Sequence, residues 1–240
     1  MKGKGKREKG KGKLRSPIVI SADGLVRGAR YVPSPNCDER PADCAIELLV
    51  VHHISLPPGE FGGNGIVDFF TNRLDPEAHP FYASIAGAKV SAHFLIRRDG
   101  ELIQFVPCAR RAWHAGESSW KGRARCNDFS IGIELEGTGA TPFAEAQYGR
   151  LAEVTRALTA RYPIADIAGH SDIAPGRKSD PGPSFDWARY RAMLNNSRQN
   201  AKKIKLRTAK RAKIIKSGTA KIPFNTPLRG TPRRQRKSKK

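Results

Sequence analysis

Residues 46–53 read Ile-Glu-Leu-Leu-Val-Val-His-His, and this short, almost continuous apolar run is the strongest fold signal in the chain. A run of this kind is typical of a strand buried on both faces. It ends in two histidines followed by a Pro/Gly-rich segment, which indicates a loop after the strand. Open α/β sheets bind ligands at this carboxyl edge. The stretch therefore predicts a sheet with a functional site beside His52 and His53.

Two further segments extend the predicted sheet. Residues 93–97 and 101–106 are apolar runs that flank Arg98-Asp99-Gly100. Asp-Gly between two such runs is a strong hairpin signal. Residues 129–136 alternate in polarity and predict another strand, on which Glu134 and Glu136 share one face.

Three helical patterns accompany these strands. A helix is predicted after Asn64, another from Thr141-Pro142 to Pro163, and a last one through residues 186–194. Strands and helices in this order indicate one α/β or α+β domain, with a central mixed sheet flanked by helices.

The net charge of +22 is unevenly distributed along the 240 residues. Residues 1–15 carry eight Lys/Arg and one Glu, and residues 195–240 carry seventeen Lys/Arg and no acidic residue. The intervening residues, 16–194, therefore sum to −2. We predict a nearly neutral domain over 16–194 between two basic, disordered arms.

The N-terminal residues and the cysteines predict the cellular compartment and the redox state of the thiols. The charged first residues are followed by no apolar segment long enough for a signal peptide or a membrane span, so a cytoplasmic location is predicted. Four cysteines show no Cys-x-x-Cys pair, which favours reduced thiols in that compartment.

Three side chains are candidates for a zinc site. His52 follows the buried strand, and His170 and Asp180 lie in the Gly/Pro-rich residues 169–183. Catalytic zinc is commonly held by three His or carboxylate ligands, with a fourth position open to water. The spacing alone is a weak signal, and histidines held by hydrogen bonds in loops are the alternative interpretation.

Three other residues could complete a catalytic site. Glu134 could act as a general base, and Lys178 could stabilise an oxyanion. Both could equally be solvated surface residues. Trp113, in the aromatic segment 112–116, could line a groove for a sugar or a peptide, or simply pack against the domain.

Taken together, six motifs in this order resemble the zinc N-acetylmuramoyl-L-alanine amidases of the amidase-2 type, which are related to peptidoglycan recognition proteins. The resemblance covers roughly residues 24–194. Residues 56–63, 79–81 and 178–183 are similar to the anhydro-N-acetylmuramoyl-L-alanine amidases of bacterial cell-wall recycling. The six motifs are Val50-Val51-His52, Ser91-Ala92-His93-Phe94-Leu95-Ile96, Arg98-Asp99-Gly100, Arg111-Ala112-Trp113-His114-Ala115-Gly116, Asn127-Asp128-Phe129-Ser130-Ile131-Gly132-Ile133-Glu134 and Gly169-His170-Ser171-Asp172.

The resemblance implies a role for each matching residue. His52, His170 and Asp180 match the zinc ligands of the family. Glu134 matches its catalytic glutamate, and Lys178 matches its oxyanion-stabilising lysine. The implied substrate is an anhydromuramoyl-peptide, cleaved between the lactyl group and L-alanine.

The resemblance also implies substrate contacts. Arg125 matches a position expected to hold a substrate carboxylate, and Trp113 lies near the expected place of the anhydromuramoyl group. His53 stands where the recycling branch more often has Asn, which affects a substrate contact. Ala92 and Asp180 replace the Tyr and Cys of phage-type members, and both changes agree with the recycling branch.

Other functions remain open at this point. The domain could be a lytic amidase acting on intact peptidoglycan, or a module that binds muropeptides without cleaving them. All three zinc ligands are present, which counts against the binding module. The basic arms could bind a polyanion such as nucleic acid, lie on an anionic membrane, or act only as solubilising tails.

Overall fold

The structure, a computed structural model, describes residues 18–195. Helices are α1 (Gly65–Phe70), α2 (Pro80–Ile85), α3 (Glu145–Arg161), α4 (His170–Ile173) and α5 (residues 187–195). Strands are β1 (Val19–Ile20), β2 (Val26–Arg27), β3 (Arg30–Tyr31), β4 (Cys37–Asp38), β5 (Leu48–Ile54), β6 (Phe94–Ile96), β7 (Leu102–Gln104), β8 (Arg111–Ala112), β9 (Ser119–Trp120), β10 (Arg123–Ala124), β11 (Ser130–Glu136) and β12 (Asp166–Gly169).

A six-stranded mixed sheet, in the order β12-β5-β11-β6-β7-β3, organises the described residues. The first four strands run parallel, and β7 is antiparallel to β6 across the predicted Asp-Gly turn. Both β5 and β11 lie in the interior of the sheet, and β11 is buried along its whole length. The predicted central mixed sheet and the hairpin are therefore confirmed.

The long helix α3 covers one face of this sheet. Its buried residues, which include Leu151, Val154 and Leu158, join a core cluster with Leu49 and Ile133 from the two central strands. Burial of large aliphatic side chains contributes about 1.5–3 kcal/mol each. This packing fixes the position of β5 and β11, which carry the candidate site residues His52, His53 and Glu134.

The structure corrects one predicted helix start and confirms another. Helix α3 begins at Glu145 rather than at Pro142, because Phe143 is buried in the core and the Pro142 carbonyl accepts a hydrogen bond from Arg98. Asn64 does precede α1, but its side chain makes no capping hydrogen bond. The last predicted helix is confirmed by α5.

Glu136 anchors the loop after β5 to the centre of the sheet. Its carboxylate accepts hydrogen bonds from the Gly62 amide (2.8 Å), the Arg97 guanidinium (3.1 Å) and the Arg98 amide (3.2 Å). These contacts also tie the β6–β7 hairpin to β11. Glu136 is thus committed to the fold, whereas Glu134, on the same face of the strand, is not.

The remaining predictions about the chain have different outcomes. All four cysteines in the described residues are free thiols, as predicted. Among residues 18–195, no helix combines the length and the apolar character needed to cross a bilayer. Both basic arms, apart from residue 195, lie outside the described residues, so the boundaries proposed at 15 and 195 stay predictions.

Candidate metal centre and active site

The candidate site forms where three neighbouring parallel strands end. In the register of the sheet, His52 on β5 lies opposite Glu134 on β11, and Gly169 on β12 lies opposite Val51. His170, which directly follows Gly169, therefore comes beside His52. Sheet pairing thus brings together residues that are more than a hundred positions apart in the sequence.

Three ligand atoms converge at this point. The distance between His52 Nδ1 and His170 Nδ1 is 3.0 Å, and Asp180 Oδ2 lies 3.1 Å from the first and 3.2 Å from the second. Both histidines are almost fully buried, and Asp180 is mostly buried. Ser171 holds the backbone of the Asp180 loop through a 2.8 Å hydrogen bond from its amide.

This arrangement fits a zinc ion. Ligands at about 2.0–2.1 Å from a tetrahedral ion lie about 3.3 Å apart, close to the spacing found here. His170 Nε2 lies 3.1 Å from the Ala115 carbonyl oxygen, which can only accept a hydrogen bond. The ring proton must therefore be on Nε2, leaving a lone pair on Nδ1. His170 Nδ1 and the Asp180 carboxylate therefore direct electron pairs at the same point, as the binding of a cation requires.

The electrostatics agree with that donor set. Burial lowers the pKa of His52 to about 4, so its imidazole is neutral at physiological pH and free to coordinate a metal. Burial opposes ionisation of Asp180, but the adjacent His170 and His52 rings outweigh it and hold the pKa of this carboxyl below its usual range. The Asp180 carboxyl is therefore ionised at neutral pH, as a metal ligand must be.

Glu134 differs from its neighbours because it lacks a structural partner. It is 8% exposed, and its buried Oε2 atom has no hydrogen-bond partner among the described residues. Burial and the nearby charge of Asp180 raise the pKa of Glu134 well above its usual value. A carboxyl with a free oxygen and a raised pKa is suited to exchanging protons with a reactant.

A cleft of about 590 Å³ opens onto these residues. Its polar lining includes Glu134, Asp180 and the exposed Lys178. Its apolar lining includes Leu56, Phe69, Phe70, Phe81, Ile85 and Val90. Such a cleft can bury an amphiphilic ligand and bring a polar bond to the three converging side chains.

The three predicted substrate-binding residues occupy different places. Trp113 and His53 line the cleft. Arg125 does not line it; its side chain is 71% exposed and forms an ion pair of 3.1 Å with Asp128. The predicted role of Arg125 in holding a substrate carboxylate is thus not supported by a place in the cleft and stays a prediction.

His114 is the residue that sequence reasoning passed over. No site role was predicted for it, yet its Nδ1 lies 3.0 Å from Nε2 of His52, and its neighbour Ala115 contacts His170. Nothing in the local pattern identifies a partner of His52, because the contact joins residues 62 positions apart. The sequence did offer one signal. Ser130, Gly132 and Glu134 are two residues apart and so share one face of β11, the face that meets His114 and lies beside His52.

Comparison with known proteins gives a consistent result. Residues 42–183 match the family model described as Amidase_2, N-acetylmuramoyl-L-alanine amidase. The matched range contains the three converging ligand residues, Glu134 and Lys178. It stops at the end of the Gly/Pro-rich loop.

Individual relatives resemble the chain over most of its described part. The chain is 62% identical over 181 residues to the 1,6-anhydro-N-acetylmuramyl-L-alanine amidase AmpD of Enterobacter cloacae, covering 75% of this chain and 97% of the relative. It is 34% identical to the N-acetylmuramoyl-L-alanine amidase AmiD of Escherichia coli, covering 83% and 71%. A crystal structure of an AmpD derivative aligns with a TM-score of 0.72 at 61% identity, over 73% of this chain and 99% of that structure.

Proposed function

Because this chain belongs to the N-acetylmuramoyl-L-alanine amidase family and is therefore an amide hydrolase, we propose that it acts on anhydromuramoyl-peptides. In this proposal it cleaves the bond between the lactyl group of anhydro-N-acetylmuramic acid and L-alanine, in peptidoglycan recycling, with zinc as its cofactor. The convergence of His52, His170 and Asp180 opposite Glu134 carries the proposal. The 62% identity to a relative named for this activity supports the substrate.

The protein's own atoms define where zinc would be held. His52 Nδ1, His170 Nδ1 and Asp180 Oδ2 form the three-ligand set. When bound, zinc lowers the pKa of a coordinating water and polarises the carbonyl of the scissile amide. Two histidines and one carboxylate leave the fourth position free for the reactants.

Glu134 would move the proton during hydrolysis. It lies opposite His52 in the sheet register, and its free oxygen can accept a proton from the attacking water. The same carboxyl can then deliver this proton to the departing amine of L-alanine. Its raised pKa favours both steps, because a base and acid work best when their pKa lies near the working pH.

Lys178 would stabilise the negative charge that develops on the carbonyl oxygen. Lys178 lines the same cleft as Glu134 and Asp180. A charged donor held beside a developing oxyanion lowers the barrier to forming it. The apolar lining of the cleft is left for the rest of the muropeptide.

Substrate choice tests this proposal directly. Purified full-length protein is incubated with anhydromuramoyl-tripeptide and, in parallel, with intact peptidoglycan, and the release of free peptide is measured. We expect turnover of the small substrate alone, which would also agree with the predicted cytoplasmic location. Preferential cleavage of intact peptidoglycan would make the protein a lytic amidase. It would contradict both the proposed substrate and the predicted cytoplasmic location. Cleavage of neither substrate would favour a muropeptide-binding module.

We further propose that the basic arms bind a polyanion and leave the chemistry unchanged. About a quarter of the chain has no counterpart in the Enterobacter relative, although 97% of that relative is matched. Residues 195–240 alone carry seventeen cations without an acidic residue. Binding of Lys and Arg side chains to phosphates does not depend on nucleotide sequence, and its affinity falls steeply as the salt concentration rises.

Truncation to residues 16–194 tests the arms. We expect the truncated chain to keep kcat/KM on soluble anhydromuramoyl-tripeptide and to lose salt-sensitive binding to duplex DNA and to anionic vesicles. Turnover is followed by peptide release, and binding is titrated at two salt concentrations. A truncated chain that has lost activity on the soluble substrate would show that the arms belong to the catalytic unit.

A further inference from the structure

Two consecutive residues contact both candidate histidine ligands from the side opposite the metal position. His114 Nδ1 lies 3.0 Å from His52 Nε2, and the Ala115 carbonyl oxygen lies 3.1 Å from His170 Nε2. We propose that residues 114–115 form a histidine clamp, which orients both imidazoles for the metal, and that His114 is its key positioning residue. This inference rests on the zinc site proposed above.

The two halves of the clamp select the same tautomer in both ligands. The Ala115 carbonyl accepts a hydrogen bond and so keeps the His170 proton on Nε2. On the other side, coordination through His52 Nδ1 requires the proton of that ring on Nε2. His114 Nδ1 then serves as its acceptor. Each ligand therefore presents Nδ1 to the metal and anchors its other nitrogen to the clamp.

His114 is itself held by the central strand. Its Nε2 lies 3.2 Å from the Ser130 hydroxyl on β11. When His114 accepts from His52 through Nδ1, its own proton is on Nε2 and points at the Ser130 oxygen. The ring thus links the metal ligand to β11, a strand buried along its whole length, and its orientation is fixed at both nitrogens.

Gly132 provides the space that this ring occupies. A Cβ atom at Gly132 would lie 2.4 Å from His114 Cγ and 2.6 Å from Nδ1, far inside van der Waals contact. Ser130, Gly132 and Glu134 alternate along β11 and lie on one face. One strand face therefore holds the clamp ring, makes room for it and supplies the candidate proton carrier.

Asn127 and Arg177 fix the backbone of the clamp. The side-chain oxygen of Asn127 accepts hydrogen bonds from both clamp amides, His114 at 3.1 Å and Ala115 at 2.8 Å. Arg177 donates to the Ala115 carbonyl at 2.7 Å and so holds the group that faces His170. The clamp is over-determined by contacts from two separate segments, as expected for a group that must orient ligands accurately.

Metal affinity tests the clamp separately from catalysis. Zinc dissociation constants are measured by competition with a chromophoric chelator, and Co²⁺ absorption spectra are recorded for the same full-length proteins. We expect His114→Leu to weaken zinc binding about 10–100-fold, the usual effect of removing a partner of a metal-bound histidine. His114→Asn places an amide oxygen near the former Nδ1 and should recover most of the affinity. Gly132→Ala should weaken binding by displacing the ring.

Two comparisons make the outcomes distinguishable. Thr155→Val removes a buried hydrogen bond to Tyr190 in the core, away from the site, and should leave zinc affinity unchanged. Equal zinc affinity and equal Co²⁺ spectra in wild type, His114→Leu and Gly132→Ala would overturn the clamp while leaving the zinc site intact. Failure of the wild-type protein to bind either metal would instead overturn the zinc site on which the clamp depends.

Discussion

Replacing Glu134 by Gln should lower kcat/KM by about 10²–10⁴-fold while zinc still binds, because the change removes only the proton carrier. This loss corresponds to about 3–5 kcal/mol of transition-state stabilisation. Glu134 Oε2 makes no hydrogen bond to another described residue, so no hydrogen bond of the fold is lost through that atom. The amide keeps the size of the side chain and cannot accept a proton at neutral pH. Peptide release and zinc content are measured on the same preparation.

Glu136 supplies the matched control for this experiment. It lies on the same face of β11, but its oxygens are bound to Gly62, Arg97 and Arg98. We expect Glu136→Gln to lower the thermal midpoint and to retain turnover at temperatures where it stays folded. If Glu134→Gln hydrolysed the substrate at close to the wild-type rate, the proton carrier would have to be another group.

Replacing Asp180 by Ala should abolish stoichiometric zinc binding and, with it, activity. Asp180 supplies the only charged ligand atom of the three that converge in the described site. Its loss should cost more than the roughly 10–100-fold that follows when only a partner of a ligand is removed. Metal content after dialysis and the thermal midpoint with and without added zinc are the measurements.

The shift in thermal midpoint separates a lost ligand from a merely unstable variant. A ligand that binds only the folded state stabilises it by about 4.1 kcal/mol at a thousand times its dissociation constant. Added zinc should therefore raise the midpoint of the wild type and leave that of Asp180→Ala unchanged. One equivalent of tightly held zinc in the variant would show that Asp180 is not a ligand.

Much of the site could be anticipated because local patterns mark the ends of strands. The apolar run before His52 and the alternation around Glu134 predicted two strands, and the structure pairs them in parallel with these residues opposite each other. The Gly/Pro-rich residues 169–183 were correctly identified as the source of His170 and Asp180, although the segment begins with a helical turn, α4. The resemblance to the amidase family supplied roles that spacing alone left open.

Other features depended on tertiary contacts that no local pattern reveals. The start of α3 moved from Pro142 to Glu145 because Phe143 is drawn into the core. No site role could be predicted for His114, because its contact with His52 forms only where Gly132 of β11 leaves room for the ring. The structural role of Glu136 likewise depends on tertiary contacts, because its carboxylate accepts hydrogen bonds from Arg97 and from the Gly62 amide.

The central claim, a zinc-dependent amidase built on His52, His170 and Asp180, is tested most directly by removing and restoring the metal. Full-length protein is freed of metal with a chelator, and release of peptide from anhydromuramoyl-tripeptide is followed as zinc is added back. We expect no release from the metal-free protein and full recovery at one zinc ion per chain. Metal-free protein that cleaved the substrate at the wild-type rate would contradict the claim.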